Sequence, residues 1–441
     1  MTPDTIFARA SGGGRAAIAV IRLSGPHTRD ALLRLTGRLP RPRTATLAGL
    51  SDPVSGLLLD RALLLWFPGP ASFTGEDTAE LQLHGGRAVV AAVLDALSHL
   101  DGLRLAAPGE FTRRAFVNGK MDLGEVEGLA DLIDAETEAQ RRQAVRTLEG
   151  ALGRWVETLR RRLVGALALT DGAIDFADED DLVATFRREI GTEVEAVRSL
   201  IAAELDVSRR GEKLREGLVV TIAGPPNVGK STLLNALAGR EIAIVSVHAG
   251  TTRDAIEVDL DLGGHPLRLI DTAGLRDTDD PVEREGIARA RRRAQSSDLV
   301  LWLCEPGSPA TPPPTEGLCW LVLTKADQAG DRLAGAAGAA DHVISARTGA
   351  GMDGLVAALH RFADTTLVGA EDAIVTRLRQ RLALEAAQSH LSTLLAPDET
   401  VPLELLAEDL RATIAALSSL VGEVGTEEIL GQIFARFCIG K

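Results

Sequence analysis

Nine consecutive residues, Gly224-Pro225-Pro226-Asn227-Val228-Gly229-Lys230-Ser231-Thr232, have the types and spacing to hold a nucleoside polyphosphate. The glycine-rich turn lets successive backbone N–H groups point into one concavity, and a helix starting at its end adds a partial positive charge. Lys230 then suits the outer phosphates, and the Ser231 hydroxyl suits Mg²⁺. Downstream, Asp271-Thr272-Ala273-Gly274 can supply a carboxylate for the Mg²⁺ water shell and a Gly274 N–H for the γ-phosphate. Gly250-Thr251-Thr252-Arg253-Asp254 lies between them, where a switch threonine closes on the metal in the triphosphate state. In Thr324-Lys325-Ala326-Asp327 the Asp327 carboxylate can accept both guanine N1–H and N2–H₂, a donor pair adenine lacks, with the Lys325 stem over the base. Ser345-Ala346-Arg347 can bring a backbone N–H to the base oxygen. Each motif is short, but five in this order point to GTP rather than ATP.

Hydrolysis also needs a group that positions water. Ras-like proteins place a glutamine directly after the DxxG motif. This chain has Leu275 there, which can neither orient water nor accept its proton. Asp277, Asp279, Asp280, Glu283 and Glu285 follow within the same segment, and the residues alone do not choose among them.

The scaffold that must position these groups reads as alternating strand and helix over 218–365, a doubly wound α/β domain. Strands are expected at 218–223, 255–262, 266–271, 298–304, 318–323 and 342–345. Before it, 121–210 has helical periodicity with almost no proline, and 371–435 returns to that pattern. Residues 212–217 read as the link, so a helical domain split by an inserted α/β domain is the simplest architecture. Residues 1–118 read as mixed α/β, with strands at 5–11, 16–23, 57–67 and 79–83 and helices at 27–35 and 87–100. Within them Arg22, the Phe73–Asp77 stretch and Pro108-Gly109-Glu110-Phe111 are unassigned polar clusters, and His84-Gly85-Gly86 at a strand end suits a phosphate or, more readily, a turn before a helix.

At 441 residues the chain exceeds one core, and no apolar run reaches the ~18 residues of a membrane span. The start lacks the basic-then-apolar layout of a signal peptide. Cys304, Cys319 and Cys438 are odd in number without metal spacing, which suits a reducing cytoplasm. A net charge of −14 argues against non-specific coating of nucleic acid but leaves room for a local basic patch. Only five of the 48 basic residues are lysine: Lys120, Lys213, Lys230, Lys325 and Lys441. Two of these lie in nucleotide motifs, which draws attention to Lys120 and Lys441.

Taken together, the chain resembles the MnmE (TrmE) family of tRNA modification GTPases along its whole length. The stretches that carry this are Gly224–Thr232, Ala249–Asp254 and Asp271–Arg276, with Phe73–Asp77, Pro108–Thr112, Ala115–Lys120 and the terminal Phe437-Cys438-Ile439-Gly440-Lys441 outside the nucleotide motifs. The resemblance implies a Ras-like P-loop G domain (214–370) inserted in an all-helical domain (119–213 and 371–441), preceded by an α+β folate-binding and dimerising domain (1–118). It implies a homodimer working with the FAD-dependent protein MnmG (GidA), in a heterotetramer-like assembly, to install aminomethyl or carboxymethylaminomethyl groups at the 5-position of the tRNA wobble uridine. A 5-formyltetrahydrofolate-type one-carbon donor and coupled GTP hydrolysis are part of that picture. By position, the family's catalytic base falls on Glu283, Mg²⁺ ligands on Ser231 and Thr252, and K⁺ ligands on Asn227, Ser246, His248 and Thr251. The loop Ser246-Val247-His248-Ala249-Gly250-Thr251-Thr252 then supplies further oxygens to that ion and counts among the GTP-binding residues. Folate falls on Arg22, Glu80, Lys120 and Lys441, and Cys438 joins the modification chemistry. Thr324 replaces the usual Asn of NKxD, and Ser246 the usual Thr of the potassium loop. A competing reading is a nucleotide-gated assembly or ribosome-binding switch, which gives Arg22, Glu80, Lys120 and Lys441 no reason to converge.

Overall fold

A computed structural model of the chain describes residues 4–240, 242–243, 257–271, 297–307, 317–330, 340–394, 401–422, 431, 433–434 and 440. They divide into two compact units, one of residues 1–130, 148–161 and 414–441, the other of 131–147 and 162–413.

The first unit is built on a six-stranded sheet in the order β3-β4-β5-β2-β1-β6. Its strands are β1 (Thr5–Arg9), β2 (Ile18–Ser24), β3 (Thr46–Ser51), β4 (Leu58–Phe67), β5 (Thr78–His84) and β6 (Leu103–Leu105). All neighbours are antiparallel except β1 and β6. Period-two alternation sends Ala19, Ile21 and Leu23 inward and Ile18, Val20 and Arg22 outward. The inward set packs with α1 (Thr28–Thr36) and α2 (Arg87–Ser98) through Leu32, Leu35, Val93 and Leu97. His84-Gly85-Gly86 is a turn into α2, as read: Gly86 precedes the helix, and a Cβ on Gly85 would sit 2.2 Å from the Ala16 carbonyl oxygen. β3, β6 and α3 (Glu110–Val117) are additions to the expected elements. β3 and β6 are short edge strands with little alternation, and α3 hides behind a Pro-Gly pair that reads as a loop.

The helices α4 (Leu123–Asp134), α5 (Glu138–Leu148), α6 (Ala151–Asp175) and α7 (Asp180–Glu216) follow. Asp122 and Glu125 exchange backbone N–H bonds at 2.7 Å each, a reciprocal cap on α4. Along α7 the buried positions Ile190, Val194, Val197, Ile201, Glu204, Ser208 and Gly211 alternate spacings of four and three, a single stripe. The 212–217 stretch is not a free link. The helix runs on to Glu216, and Gly217, at φ 85°, ends it before the next strand.

The second sheet has the order β12-β11-β10-β7-β9-β8 and is parallel except for β8–β9. β7 (Leu218–Ala223) and β11 (Leu318–Leu323) have the expected bounds. β8 (Glu257–Leu262), β9 (His265–Asp271), β10 (Leu299–Cys304) and β12 (His342–Val343) differ only at their ends. α8 (Lys230–Ala238) and α9 (Met352–Thr366) pack their apolar faces on this sheet, completing a doubly wound layer. α10 (Leu378–Leu394) and α11 (Leu403–Val421) close the described chain with helix. The protein is therefore multidomain α/β, with a P-loop sheet domain flanked in sequence by helices on both sides.

A buried carboxylate tests the packing of α7. Glu204 accepts the Ile374 and Val375 N–H groups at 2.7 and 2.8 Å through one oxygen. Burial raises its pKa, while these bonds pull it the other way. The native state thus holds this proton more tightly than the unfolded chain, so stability falls as pH rises from the ordinary carboxyl range through the folded pKa. Glu204→Gln keeps the acceptor without the charge and is expected to melt at or above wild type at pH about 8, with little change at pH about 5. Glu204→Ala strands two N–H groups and is expected to lose about 1–3 kcal/mol for each. A Gln variant melting below wild type at the higher pH would refute this account.

Candidate functional site

The P-loop follows β7, Asp271 ends β9, Glu305 follows β10, Thr324–Asp327 follows β11 and Ser345 follows β12. All five sit at the carboxyl ends of strands, and β7 lies between β9 and β10. That is the crevice where open α/β sheets bind ligands.

In the P-loop, Gly224 (φ 146°) approaches β10 so closely that a Cβ would lie 2.4 Å from the Leu303 carbonyl oxygen. Gly229 (φ 102°) caps α8, and a Cβ there would meet no neighbour among the described atoms. It is therefore the backbone turn that demands glycine at 229. Asn227 takes φ 62°, a left-handed conformation that asparagine tolerates better than most residues. Val228 is buried in the core, Ser231 and Thr232 lie exposed at the first turn of α8.

Lys230 Nζ donates to the Gly224 and Pro225 carbonyl oxygens at 2.8 and 2.9 Å. Burial lowers its pKa, with the Asp271 charge acting in the opposite sense. An under-solvated ammonium beside a ring of backbone dipoles is suited to an anion. Ser231 Oγ donates to Asp271 Oδ2 at 2.8 Å. That bond orients the hydroxyl oxygen, which is what a Mg²⁺ ligand needs from an outer carboxylate, so the two residues fit the metal as a pair.

At the base-reading end Asp327 is already engaged at both oxygens. Ser345 Oγ donates to Oδ1 at 2.7 Å, and the Arg347 guanidinium lies 2.9 Å from Oδ2. The Ser345 hydrogen bond and then the Arg347 charge hold the Asp327 carboxyl below its ordinary pKa, with burial opposing. Lys325 sits at φ 55°, and its ammonium pairs with Glu305. Ala346 packs against the sheet core. The Thr-for-Asn replacement at 324 leaves a working contact: Thr324 Oγ1 donates to the Val228 carbonyl at 2.7 Å, tying the base-reading loop to the P-loop. Neither this tie nor Glu305 is visible in the motifs, because both partners come from distant strands.

Ser246, Val247, His248, Ala249, Gly250, Thr251, Thr252, Thr272, Ala273, Gly274 and Glu283 lie outside the described residues, as do Cys438 and Lys441.

A second constellation occupies the first unit. Arg22 and Glu80 are cross-strand partners of β2 and β5, with Arg22 Nη2 2.8 Å and Nε 3.2 Å from Glu80 Oε1. The Arg22 guanidinium lies 5.7 Å from the Phe73 ring centre and 5.9 Å from that of Phe111. The loop carrying Phe73 also meets Lys120: a Cβ on Gly75 (φ 79°) would lie 3.3 Å from the Lys120 Cε. Lys120 in turn lines a cavity of about 520 Å³ with Phe116, Asp122, Val156 and Arg160. The structure therefore brings Arg22, which pairs with Glu80, and Lys120 to the loop that carries Phe73 and Gly75. The two other polar clusters of the sequence are explained here as well, since Arg114 joins Glu76 at 3.1 Å to Glu110 at 3.2 Å and Asp4 at 2.7 Å. Glu76 also accepts the Ser24 hydroxyl, and Asn118 donates to the Thr74 carbonyl.

The family described as "GTP-binding protein TrmE N-terminus" matches residues 5–120, and the family described as "MnmE helical domain" matches residues 123–438. A protein named tRNA modification GTPase MnmE from Methylobacterium sp. (strain 4-46) is 57% identical, over 99% of this chain and 100% of that one. Its namesake from Beijerinckia indica is 54% identical, over 100% of this chain and 96% of its own. Among solved structures, the G domain of the T. maritima FeoB iron transporter aligns at 24% identity with a TM-score of 0.24, covering 35% of this chain and 98% of that one.

Proposed function

The chain belongs to the tRNA modification GTPase MnmE family, and from this premise we propose that it is a potassium-activated GTPase of wobble-uridine modification. In this reading it acts in the cytoplasm with an FAD-dependent MnmG (GidA) partner on the 5-position of the tRNA base, using a 5-formyltetrahydrofolate-type donor. The observation that carries the nucleotide half is the 2.7 Å Thr324–Val228 bond, which joins guanine reading to phosphate binding in one rigid end of the sheet.

When bound, GTP supplies the phosphoanhydride that is broken, and Mg²⁺ and K⁺ supply charge neutralisation. The chain's own groups do the rest. Lys230 would exchange its two carbonyl partners for phosphate oxygens, and Ser231 would hold Mg²⁺ through its hydroxyl oxygen while still donating its hydrogen bond to Asp271. Thr252 is assigned as the second Mg²⁺ ligand. Asn227 is assigned to K⁺ together with Ser246, His248 and Thr251, and Glu283 to the attacking water. Asp327 must exchange the Arg347 guanidinium for the guanine edge, since both present N–H donors to the same carboxylate. Arg22, Glu80 and Lys120, with Lys441, are assigned to the folate, and Phe73 and Phe111 offer π-faces beside Arg22. The domain bounds 1–118, 119–213 with 371–441, and 214–370 belong to the same reading.

A homodimer is supported by the open face of the first sheet. There Ile18, Leu47 and Leu63 are exposed at 60, 64 and 36%, and Val20 and Leu65 lie on the same face. These side chains share the face with Arg22, Glu80 and Gln82, and an exposed apolar patch of this kind calls for a covering partner.

The deciding experiment is GTP turnover by the purified protein in potassium chloride against sodium chloride at equal ionic strength. Turnover stimulated at least about tenfold by potassium is expected, the size of an electrostatic transition-state contribution. Equal slow rates in both salts would remove the potassium assignment, while loss of GTP binding altogether would remove the nucleotide site itself.

A further inference from the structure

The chain carries 14 more negative than positive charges, yet residues 28–51 contain five arginines, Arg29, Arg34, Arg38, Arg41 and Arg43, against the single acid Asp30. All five are exposed. They lie on α1 and on the loop that joins it to β3, and α1 packs beside β3. Arg29 and Arg34 project from the outer face of α1, whose other face buries Thr28, Ala31, Leu32 and Leu35. The loop after α1 is pinned beside β3 and β4, with Arg38 Nη2 donating to the Leu47 carbonyl of β3 and the Arg43 N–H to the Trp66 carbonyl of β4. Arg43 also lies 5.6 Å over the Phe67 ring. Among the described residues none of the five is salt-bridged to a carboxylate. Several helical arginines, by comparison, are paired: Arg142 with Glu371, Arg162 with Glu193, Arg198 with Glu195 and Arg381 with Glu212.

Exposed guanidinium groups left without carboxylates on an otherwise acidic surface retain their full attraction for a polyanion. We infer that α1, the loop after it and the β3 edge form the surface on which the tRNA sugar-phosphate backbone docks. This rests on the tRNA reading above and adds where the RNA is held. Contacts of this type position a nucleic acid without reading its sequence, which suits an enzyme that delegates recognition of the modified base to another site. The net charge elsewhere then works in favour of register, since the acidic remainder repels the same backbone.

The test is anisotropy titration of an end-labelled tRNA with the full chain between about 50 and 200 mM salt. The variant is Arg29→Glu/Arg34→Glu/Arg41→Glu, compared with the same three positions changed to Gln and with a control of equal charge change, Arg142→Glu/Arg161→Glu/Arg198→Glu. For the patch variant we expect affinity to fall roughly a hundredfold at about 0.1 M salt and the salt slope to lose roughly three. The Gln variant should show the same slope loss with a smaller fall, and the control should keep the slope. Circular dichroism and thermal melting should match wild type in all, which establishes that the unit carrying the patch folds as well as the one that binds GTP. Equal losses in patch and control, or an unchanged slope in the patch variants, overturn the surface. A wild-type chain that binds no tRNA overturns the tRNA reading and this surface with it.

Discussion

Lys230→Ala is expected to lower GTP turnover by roughly a hundred- to a thousandfold, the usual consequence of removing one preorganised charge from a phosphoryl-transfer site. Lys230 is the one basic side chain seated in the P-loop, and its ammonium already sits among backbone carbonyls, with burial lowering its pKa. A partly desolvated charge gains more from an incoming phosphate than an exposed one does. Lys230→Arg should not restore activity, because the larger, rigid guanidinium cannot take the place of a compact ammonium that sits at the Gly224 and Pro225 carbonyls and must re-aim at phosphate within the same turn. Steady-state turnover together with titration of a fluorescent GTP analogue separates the two parts of the effect. Turnover within about tenfold of wild type in the alanine variant would mean that another group carries the transition-state charge.

Asp327→Asn should lower affinity for guanine nucleotides by roughly a thousandfold and raise that for xanthine nucleotides. The carboxylate offers acceptors to two guanine donors, whereas an amide places an N–H₂ against one of them. Xanthine carries an oxygen where guanine has its amino group, so the amide regains a partner there. The neighbourhood supports a clean substitution, since Ser345 Oγ can still donate to the retained carbonyl oxygen of the amide. Arg347 loses its carboxylate and becomes free of the base edge. Competition of GTP and XTP against a labelled nucleotide reads both changes at once. Unaltered preference for GTP would show that the base is recognised elsewhere.

The sheet that holds these groups was legible because its parallel strands read as nearly continuous apolar runs: Leu218–Ala223 and Leu318–Leu323 match to the residue. The first domain was less so. β3 contributes only Ala48 and Leu50 inward around an exposed glycine, and α3 is only eight residues long behind Pro108-Gly109, so neither stands out as an element. The end of α7 misled for the opposite reason, since a charged Glu-Lys-Leu-Arg-Glu run is both a good helix and a plausible linker. Lys213 within it pairs with Asp298 at 2.7 Å, a partner 85 residues away that the local sequence cannot show.

What the sequence determined by itself was the chemistry and its order: a phosphate loop, a metal carboxylate and a guanine-reading aspartate, each a short motif whose function follows from its own atoms. Tertiary structure decided which of them hold one another. The Thr324–Val228 tie, the Asp327–Arg347 pair, the Lys120–Gly75 contact and the Arg114 junction all link residues brought together by strand order or helix packing. Hydrogen bonds and ion pairs act over a few ångströms while the chain between the partners runs to dozens of residues, so only the folded arrangement of the elements fixes them.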